Sequence, residues 1–272
     1  MPDQYAVIGN PVEHSKSPLI HAAFARQTGH DLAYDLLLAP IHKFVVTADA
    51  FRARGGRGLN VTLPFKAEAT RYATTLSARA RAAQAVNTLK FDHEIIFGDN
   101  TDGAGLVRDL IDNLGCAIAG QRVLLLGAGG AARGVIDPLL QQHPAQFVLA
   151  NRTLDRAQQL AQSLHGALEA SSYAALANRQ FDLVVNATSA SLAGELPPLP
   201  RGVYAPGALA YDMMYGKGET PFLAFARGES AALLADGLGM LVEQAAESFF
   251  VWRGVRPESA PVLKLLRESG HV

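Results

Sequence analysis

Cysteine is nearly missing from this sequence. Cys116 is the only one in 272 residues, so no internal disulfide can form, a usage that suits a reducing, cytoplasmic setting. An excess of charge of either sign is missing too. With 24 Lys and Arg against 25 Asp and Glu the formal net charge is −1. There is no basic block and no acidic tail, which argues against nucleic acid or an anionic membrane surface as the main partner. No apolar run reaches the ~18 residues of a spanning helix, and "MPDQYAVIGN" lacks the charged-then-apolar layout of a signal peptide. The eight histidines form neither H-E-x-x-H nor a Cys/His cluster, so no metal site is expected. Repeats and low-complexity tracts are absent. What is abundant is apolar: 49% hydrophobic against 18% charged residues, enough core for one large domain or two of ordinary size.

The apolar residues fall into β-rich runs alternating with helical patterns. "QYAVIG", "LAYDLLLA" and "GLNVTLP" read as strands. "SPLIHAAFARQTG" reads as a helix, with Ser17 as cap and Pro18 at its first position, and "HKFVVTADAFRARG" as another. Helical stretches are predicted from about Lys66 to Ala83, and "NTLKFDHEIIFG" as a hairpin turning near Asp92 and His93. This block, to about Asp102, is α/β without pure parallel alternation. A helix over "GAGLVRDLIDNLG" opens the second block. "RVLLLG" is a continuous apolar run, as a central parallel strand requires. "AARGVIDPLLQQ" is a helix with an expected kink at Pro138. "QFVLANRT" is a strand, and "LDRAQQLAQSLHG" a helix with Leu154, Ala157, Leu160, Ala161 and Leu164 on one face. "DLVVNATSA" and "ALAYDMMY" are strands, Thr220 and Pro221 open a helix, and the tail is two helices. The alternation predicts an open doubly wound sheet here.

"LLLGAGGAARG" fits a dinucleotide fingerprint at Gly127, Gly129 and Ala132. Gly127 permits the tight turn, Gly129 lets backbone approach a pyrophosphate, and Ala132 allows close helix–strand packing. The phosphates would sit on free N–H groups at the positive helix end. At the end of the next strand, where an NAD site usually carries an acid, stands "NRTLDR". Asn151 is neutral, and Arg152 and Arg156 suit a dianionic 2′-phosphate, so the pattern favours NADP. Thr153 reads as the helix N-cap, a role compatible with a phosphate contact. Asn186, Thr188 and Ser189 end another strand, where they face a cofactor or cap a turn.

Hydride chemistry at a carbon bearing oxygen needs a proton partner. Lys66 lies just beyond a strand ending at a proline. It is one of only six lysines among the 24 basic residues. Asp102 in "GDNTDGAG" lies at a strand-to-helix turn. On their own these read equally as a surface lysine and a helix N-cap. Ser15 and Ser17 in "HSKSP" offer two hydroxyls, with helix capping the plainer use of Ser17. Thr62 and Asn87 could add hydrogen bonds.

Taken together, "YAVIGNPVEHSKSPLIH", "GLNVTLPFK", "AVNTL", "GDNTDGAGL", "GAGGAARG", "ANRT", "VVNATS", "YDMMYGKGETPF" and "ADGLGMLVEQA" resemble the shikimate dehydrogenase family, in its order and over essentially the whole chain. The resemblance implies reversible reduction of 3-dehydroshikimate to shikimate with NADPH. It implies that Ser15, Ser17, Thr62, Asn87, Asp102, Tyr215 and Gln244 hold shikimate, with both serines on the carboxylate. Lys66 and Asp102 would transfer the proton. The cofactor would rest on Gly127, Ala128, Gly129, Gly130 and Ala131, on Asn151 to Arg156, and near Thr188, Met213 and Gly237. The C-terminal helices would return to the first block. Residues 1–102 and 238–272 would then form the substrate domain and 103–237 a Rossmann-type NADP domain, with both ligands in the cleft between them. In one departure, Ala78 stands where the family often has an acidic residue near the cofactor, which puts that contact in doubt. Rival readings are a quinate/shikimate dehydrogenase using NAD, against which Arg152 and Arg156 argue, and a non-catalytic NADP- or shikimate-binding sensor, which would have lost Lys66 and Asp102. A methylene-tetrahydrofolate dehydrogenase-like enzyme shares a two-domain plan but gives "HSKSP" no purpose. The sequence does not choose between monomer and homodimer.

Overall fold

Six β-rich runs build the first sheet: β1 (Asp3–Gly9), β2 (Leu32–Leu38), β3 (Gly56–Val61), β4 (Thr75–Leu76), β5 (Thr88–Asp92) and β6 (Ile95–Asp99). The computed structural model describes residues 1–164, 168–216 and 218–268. It divides the chain into two units, Met1–Gly105 with Leu241–Glu268, and Leu106–Met240. In the first unit the strand order is β2-β1-β3-β5-β6-β4. β1 is parallel to β2 and β3, whereas β5 is antiparallel to β3 and β6. A tight turn after Asp92, with His93 at φ 49°, reverses the chain between β5 and β6, and with β5 also antiparallel to β3 the sheet is mixed. Helices α1 (Ser17–Thr28), α2 (Phe44–Ala53), α3 (Lys66–Tyr72) and α4 (Ala78–Ala83) connect the strands. Phe44, Phe51, Phe65, Leu59 and Leu89 form the core with Ile8 and Val61.

Two local predictions change. The helical run from Lys66 to Ala83 is broken, because Thr75 and Leu76 pair with Phe97 and Gly98 as β4. Gly98 makes room for this: a Cβ there would lie 2.8 Å from Ala73 Cβ and 2.9 Å from Leu76 Cδ2. The second helix then restarts on Ser77, whose hydroxyl accepts from the Ala80 N–H. Ser17 is not the cap of α1 either. Lys16 takes that position without a side-chain bond, and Ser17 is already helical and buried.

An aromatic cluster lies between α1, β2 and the C-terminal helix α9 (Leu238–Arg253). His21 stacks on Tyr34 at 4.3 Å and tilts against Trp252 at 5.2 Å. Trp252 fits because Gly58 has no side chain, and its indole N–H donates to the Leu89 carbonyl at 2.9 Å. α9 is held further by Arg79, which forks onto Asp99 and reaches Glu247 at 2.9 Å. α10 (Ala260–Glu268) completes the unit.

His21 makes this unit acid-sensitive. Burial pushes its pKa down to about 3, only partly opposed by its bond to Asn60. An unfolded histidine protonates near ~6.5, so between those values the unfolded chain binds the extra proton and stability falls as pH falls. Urea unfolding followed by circular dichroism should show this residue costing about 2 kcal/mol between pH 7 and pH 5. His21→Phe should remove that part of the slope, and an unchanged slope would assign the acid lability elsewhere.

The second unit contains β7 (Arg122–Leu126), β8 (Gln146–Ala150), β9 (Glu169–Ser171), β10 (Phe181–Asn186), β11 (Tyr204–Asp212) and β12 (Leu233–Asp236), all parallel in the order β12-β11-β10-β7-β8-β9. This is the doubly wound order of Rossmann sheets. Val123 and Leu125 face a core with Ala132, Val135 and Leu160, from α6 (Gly130–Leu140) and α7 (Leu154–Ser163). Leu124 and Leu126 face another with Phe222 and Leu223 of α8 (Pro221–Gly228). A strand covered on both faces must be apolar at every position, which explains the unbroken run. Pro138 lies inside α6, near its end. The side chain of Thr220 caps α8 on the Leu223 N–H. The ends of two predicted helices (His165–Gly166 and Ser269–Gly270), and Lys217, lie outside the described residues.

The helix predicted over "GAGLVRDLIDNLG" also changes character. α5 (Asp102–Arg108) passes into a π-helical turn at Asp109–Asn113. There Asp109 is buried and accepts from the Tyr211 hydroxyl at 2.6 Å and from Asn113 Nδ2 at 2.9 Å. Gly239 gives the carboxylate its space, since a Cβ there would lie 1.9 Å from Oδ1.

Candidate functional site

The β3 strand ends in a turn closed by the Phe65 N–H on the Thr62 carbonyl. Phe65 is buried against Phe44 at 5.5 Å, which fixes where Lys66 begins α3. The Lys66 carbonyl accepts from the Val86 N–H at 3.1 Å, tying this helix start to the segment that carries Asn87. From this position Lys66 Nζ reaches Asp102 Oδ2 at 2.5 Å. The lysine side chain is 25% exposed and the aspartate 10%. The pair is therefore shielded from bulk water yet open to a ligand.

Asp102 is held from several sides. Asn87 Nδ2 donates to its other carboxylate oxygen at 2.7 Å. Its own N–H goes to Asn100 Oδ1, so Asp102 starts α5 as a helical residue and does not cap it. Behind it the loop is pinned residue by residue. Asp99 takes the Arg79 fork and the Ser77 hydroxyl, Asn100 donates to the Ala85 carbonyl, and the Thr101 N–H donates to Asn87 Oδ1 at 2.9 Å. Burial disfavours ionised Asp99, but Arg79 outweighs this and holds its carboxyl below the usual range. Gln244 of α9 joins through Oε1, 3.3 Å from both Asn87 Nδ2 and Thr101 Oγ1.

Ser15 Oγ donates to Ser17 Oγ at 3.1 Å. Thr62 is half-buried after β3, against Gly9. Ala78 opens α4 and is exposed. Tyr215 belongs to the second unit, in the loop after β11, and burial raises its phenol pKa.

In the second unit the reversal of strand order falls between β7 and β10, where open α/β sheets bind ligands. Gly127 leaves β7 at φ 102°, and a Cβ on it would meet Thr188 Cγ2 at 3.1 Å and the Ala187 backbone at 3.3 Å. Glycine is required there for conformation and for space. At Gly129 and Gly130 an added Cβ would meet nothing within 4 Å. α6 starts there with no side-chain cap on its first N–H groups, an arrangement that suits a pyrophosphate. Ala128 is half-buried and Ala131 exposed. Ala132 is fully buried against the sheet.

Asn151 follows β8 and donates to the Thr153 carbonyl at 2.8 Å. Thr153 holds the N-cap position of α7 without a side-chain bond. Arg152 and Arg156 are exposed. Among the described residues Arg108, Arg122, Arg179, Arg201 and Arg227 of this unit pair with carboxylates, whereas Arg152 and Arg156 do not. Both guanidinium groups are thus available to an anion, and these residues fit a dinucleotide carrying a 2′-phosphate. Asn186, by contrast, is consumed inside the protein. It donates to Asp212 at 3.1 Å and accepts from the Thr188 hydroxyl at 2.7 Å. Ser189 starts a short 3₁₀ turn. Gly237 packs on Met213, whose carbonyl oxygen would lie 2.1 Å from any Cβ.

Sequence reasoning missed Asn60, Tyr34, Thr88, Thr101, Ser248 and Asp212. Asn60, between buried Leu59 and Val61, carried a signal: an amide in an apolar strand must find partners. Asp212, fully buried, accepts from Asn186, Ser191, Thr220 and the Met214 N–H.

A Rossmann sheet with an open glycine turn in one unit, and a lysine–aspartate couple in the mixed-sheet unit, define a two-domain dinucleotide-dependent dehydrogenase. Residues 7–89 match the shikimate dehydrogenase substrate binding domain, 109–193 shikimate / quinate 5-dehydrogenase, and 237–267 the shikimate 5′-dehydrogenase C-terminal domain. The chain is 62% identical over 271 residues to a shikimate dehydrogenase (NADP(+)) of Nitrosospira multiformis, covering 99% of this chain and 98% of that one. Among solved structures, an Ael1 enzyme from Pseudomonas putida is 50% identical with a TM-score of 0.93, covering 97% and 98% of the two chains. The Thermus thermophilus shikimate 5-dehydrogenase in complex with NADP(H) and shikimate is 31% identical with a TM-score of 0.88, covering 98% and 99%. The chain belongs to the shikimate dehydrogenase family.

Proposed function

We propose that this chain is a cytoplasmic oxidoreductase that reversibly reduces 3-dehydroshikimate to shikimate with NADPH, a step of the shikimate pathway to chorismate and the aromatic amino acids. The observation that carries this reading is the shielded Lys66–Asp102 couple, 2.5 Å apart, in a chain of this family. NADPH, when bound, supplies the hydride. Lys66 gives its proton to the oxygen as negative charge develops there, and takes one back in the oxidative direction. Its positive charge, fixed in advance by Asp102, stabilises that oxyanion. Ser15 and Ser17 take the carboxylate. Thr62, Asn87, Asp102, Tyr215 and Gln244 take the ring hydroxyls. Gly127 to Ala131 receive the pyrophosphate, Asn151 to Arg156 the adenosine 2′-phosphate, and Thr188, Ser189, Met213 and Gly237 the rest of the cofactor.

Initial rates of NADPH formation from shikimate test the reading. Shikimate with NADP should be the fastest of the four combinations of shikimate or quinate with NADP or NAD. A faster rate with quinate and NAD would favour the sister activity, and no rate with any pair would favour a binding protein.

A further inference from the structure

A series of hydrogen bonds runs from Tyr34, beside Ser17, to the Lys66–Asp102 couple. Ser15 donates to Ser17, and the Ser17 hydroxyl lies beside the Tyr34 phenol. Tyr34 donates to Asn60 Oδ1 at 2.7 Å. Asn60 Nδ2 donates to Thr88 Oγ1 at 3.2 Å and to Ser248 Oγ at 2.9 Å. Thr88 donates to Asn87 Oδ1 at 2.9 Å, and Asn87 to Asp102 at 2.7 Å. Lys66 closes the series.

We infer that Tyr34 is a positioning residue: through Asn60 and Thr88 its hydroxyl fixes the Asn87 amide that holds Asp102 against Lys66, and so ties the two serines at the start of α1 to the proton-transfer pair. The inference rests on the functional reading above. An amide can turn over, and its neighbours decide which way it faces. Asn60 Oδ1 has two donors, Tyr34 at 2.7 Å and His21 Nε2 at 3.2 Å. Burial keeps His21 neutral and pushes the Tyr34 phenol well above its usual range, so Tyr34 remains a donor at working pH. Donation from His21 Nε2 leaves Nδ1 bare, and that atom is buried without a partner among the described residues. The imidazole therefore cannot be fixed by its other nitrogen, and Tyr34 is the shorter hold on Asn60. A carboxylate seated on Ser17 would reach the Lys66 couple through this series, which spends remote binding energy on the reacting end.

Tyr34→Phe keeps the ring stacked on His21 and removes only the hydroxyl. Wild-type enzyme is first assayed for shikimate oxidation with NADP. Tyr34→Phe should lower kcat about tenfold, the effect of one well-placed buried hydrogen bond, with KM for NADP and the thermal midpoint close to wild type. Thr88→Val, further along the series, should lower kcat similarly. The double variant should lose no more than the larger single loss, because both act through Asn87. Losses that multiply, a Tyr34→Phe kcat within about twofold of wild type, or a lowered thermal midpoint with full kcat in the folded fraction, would each overturn the role of Tyr34. A wild-type protein inactive on shikimate would overturn the functional reading itself, and the inference with it.

Discussion

Lys66→Ala should fold, bind both ligands and lose turnover by about three orders of magnitude. Two losses combine in that variant. The proton that the carbinol oxygen must gain or lose has no donor or acceptor, a contribution of 10²–10⁴-fold. The positive charge facing the oxyanion also disappears. The fold should survive because Lys66 contributes to structure mainly through its carbonyl, which accepts from Val86 N–H and Thr70 Oγ1, and alanine keeps that carbonyl. Asp102 retains its bond from Asn87. Single-turnover rates, with shikimate and NADP binding measured by calorimetry, separate a loss of chemistry from a loss of binding. A kcat near the wild-type value would remove Lys66 from the chemistry, and lost binding with an unfolded spectrum would make it structural.

Arg152→Ala should weaken NADP binding about 30-fold while NAD changes less than about threefold. The asymmetry is the content of the prediction, because a 2′-phosphate is the only group that distinguishes the two dinucleotides. Arg152 is exposed, follows β8 and forms no carboxylate pair among the described residues, so removing it strands no described partner charge. It lies near Tyr173, whose phenol burial pushes up to about 12 against the opposing effect of the guanidinium. Arg156, in the first turn of α7, is the other arginine proposed for the 2′-phosphate, and the double variant should approach equal affinity for both cofactors. Equal losses for NADP and NAD would instead place Arg152 on the pyrophosphate or on the fold.

The parts legible in the sequence were those governed by local rules. "RVLLLG" followed by "AGGAARG" marked a buried parallel strand, a turn that needs glycine and a helix start, and each demand is met within a dozen residues. Arg152 and Arg156 were placed by the same local rule, after a strand and at the start of a helix. Lys66 and Asp102 were legible only through likeness to a family. Alone, one reads as a surface lysine and the other as a cap, because a 2.5 Å contact between residues 36 positions apart is a tertiary fact. Tyr34 and Asn60 stayed hidden for a related reason. They sit on β2 and β3, which flank β1, and only the registers Tyr5↔Tyr34 and Val7↔Asn60 bring them together. β4 is two residues long, too short for any periodicity. The π-helical turn has ordinary helical spacing, and its cause, the buried Asp109, meets Tyr211 from 102 residues away.

The single tryptophan of the chain has a practical consequence. Trp252 sits wholly within one unit, its indole nitrogen on the Leu89 carbonyl and its ring beside Tyr5, His21 and Tyr34. Excited where tyrosine does not absorb, its fluorescence therefore reports that unit alone, so melting of that half can be followed in the native protein without a label.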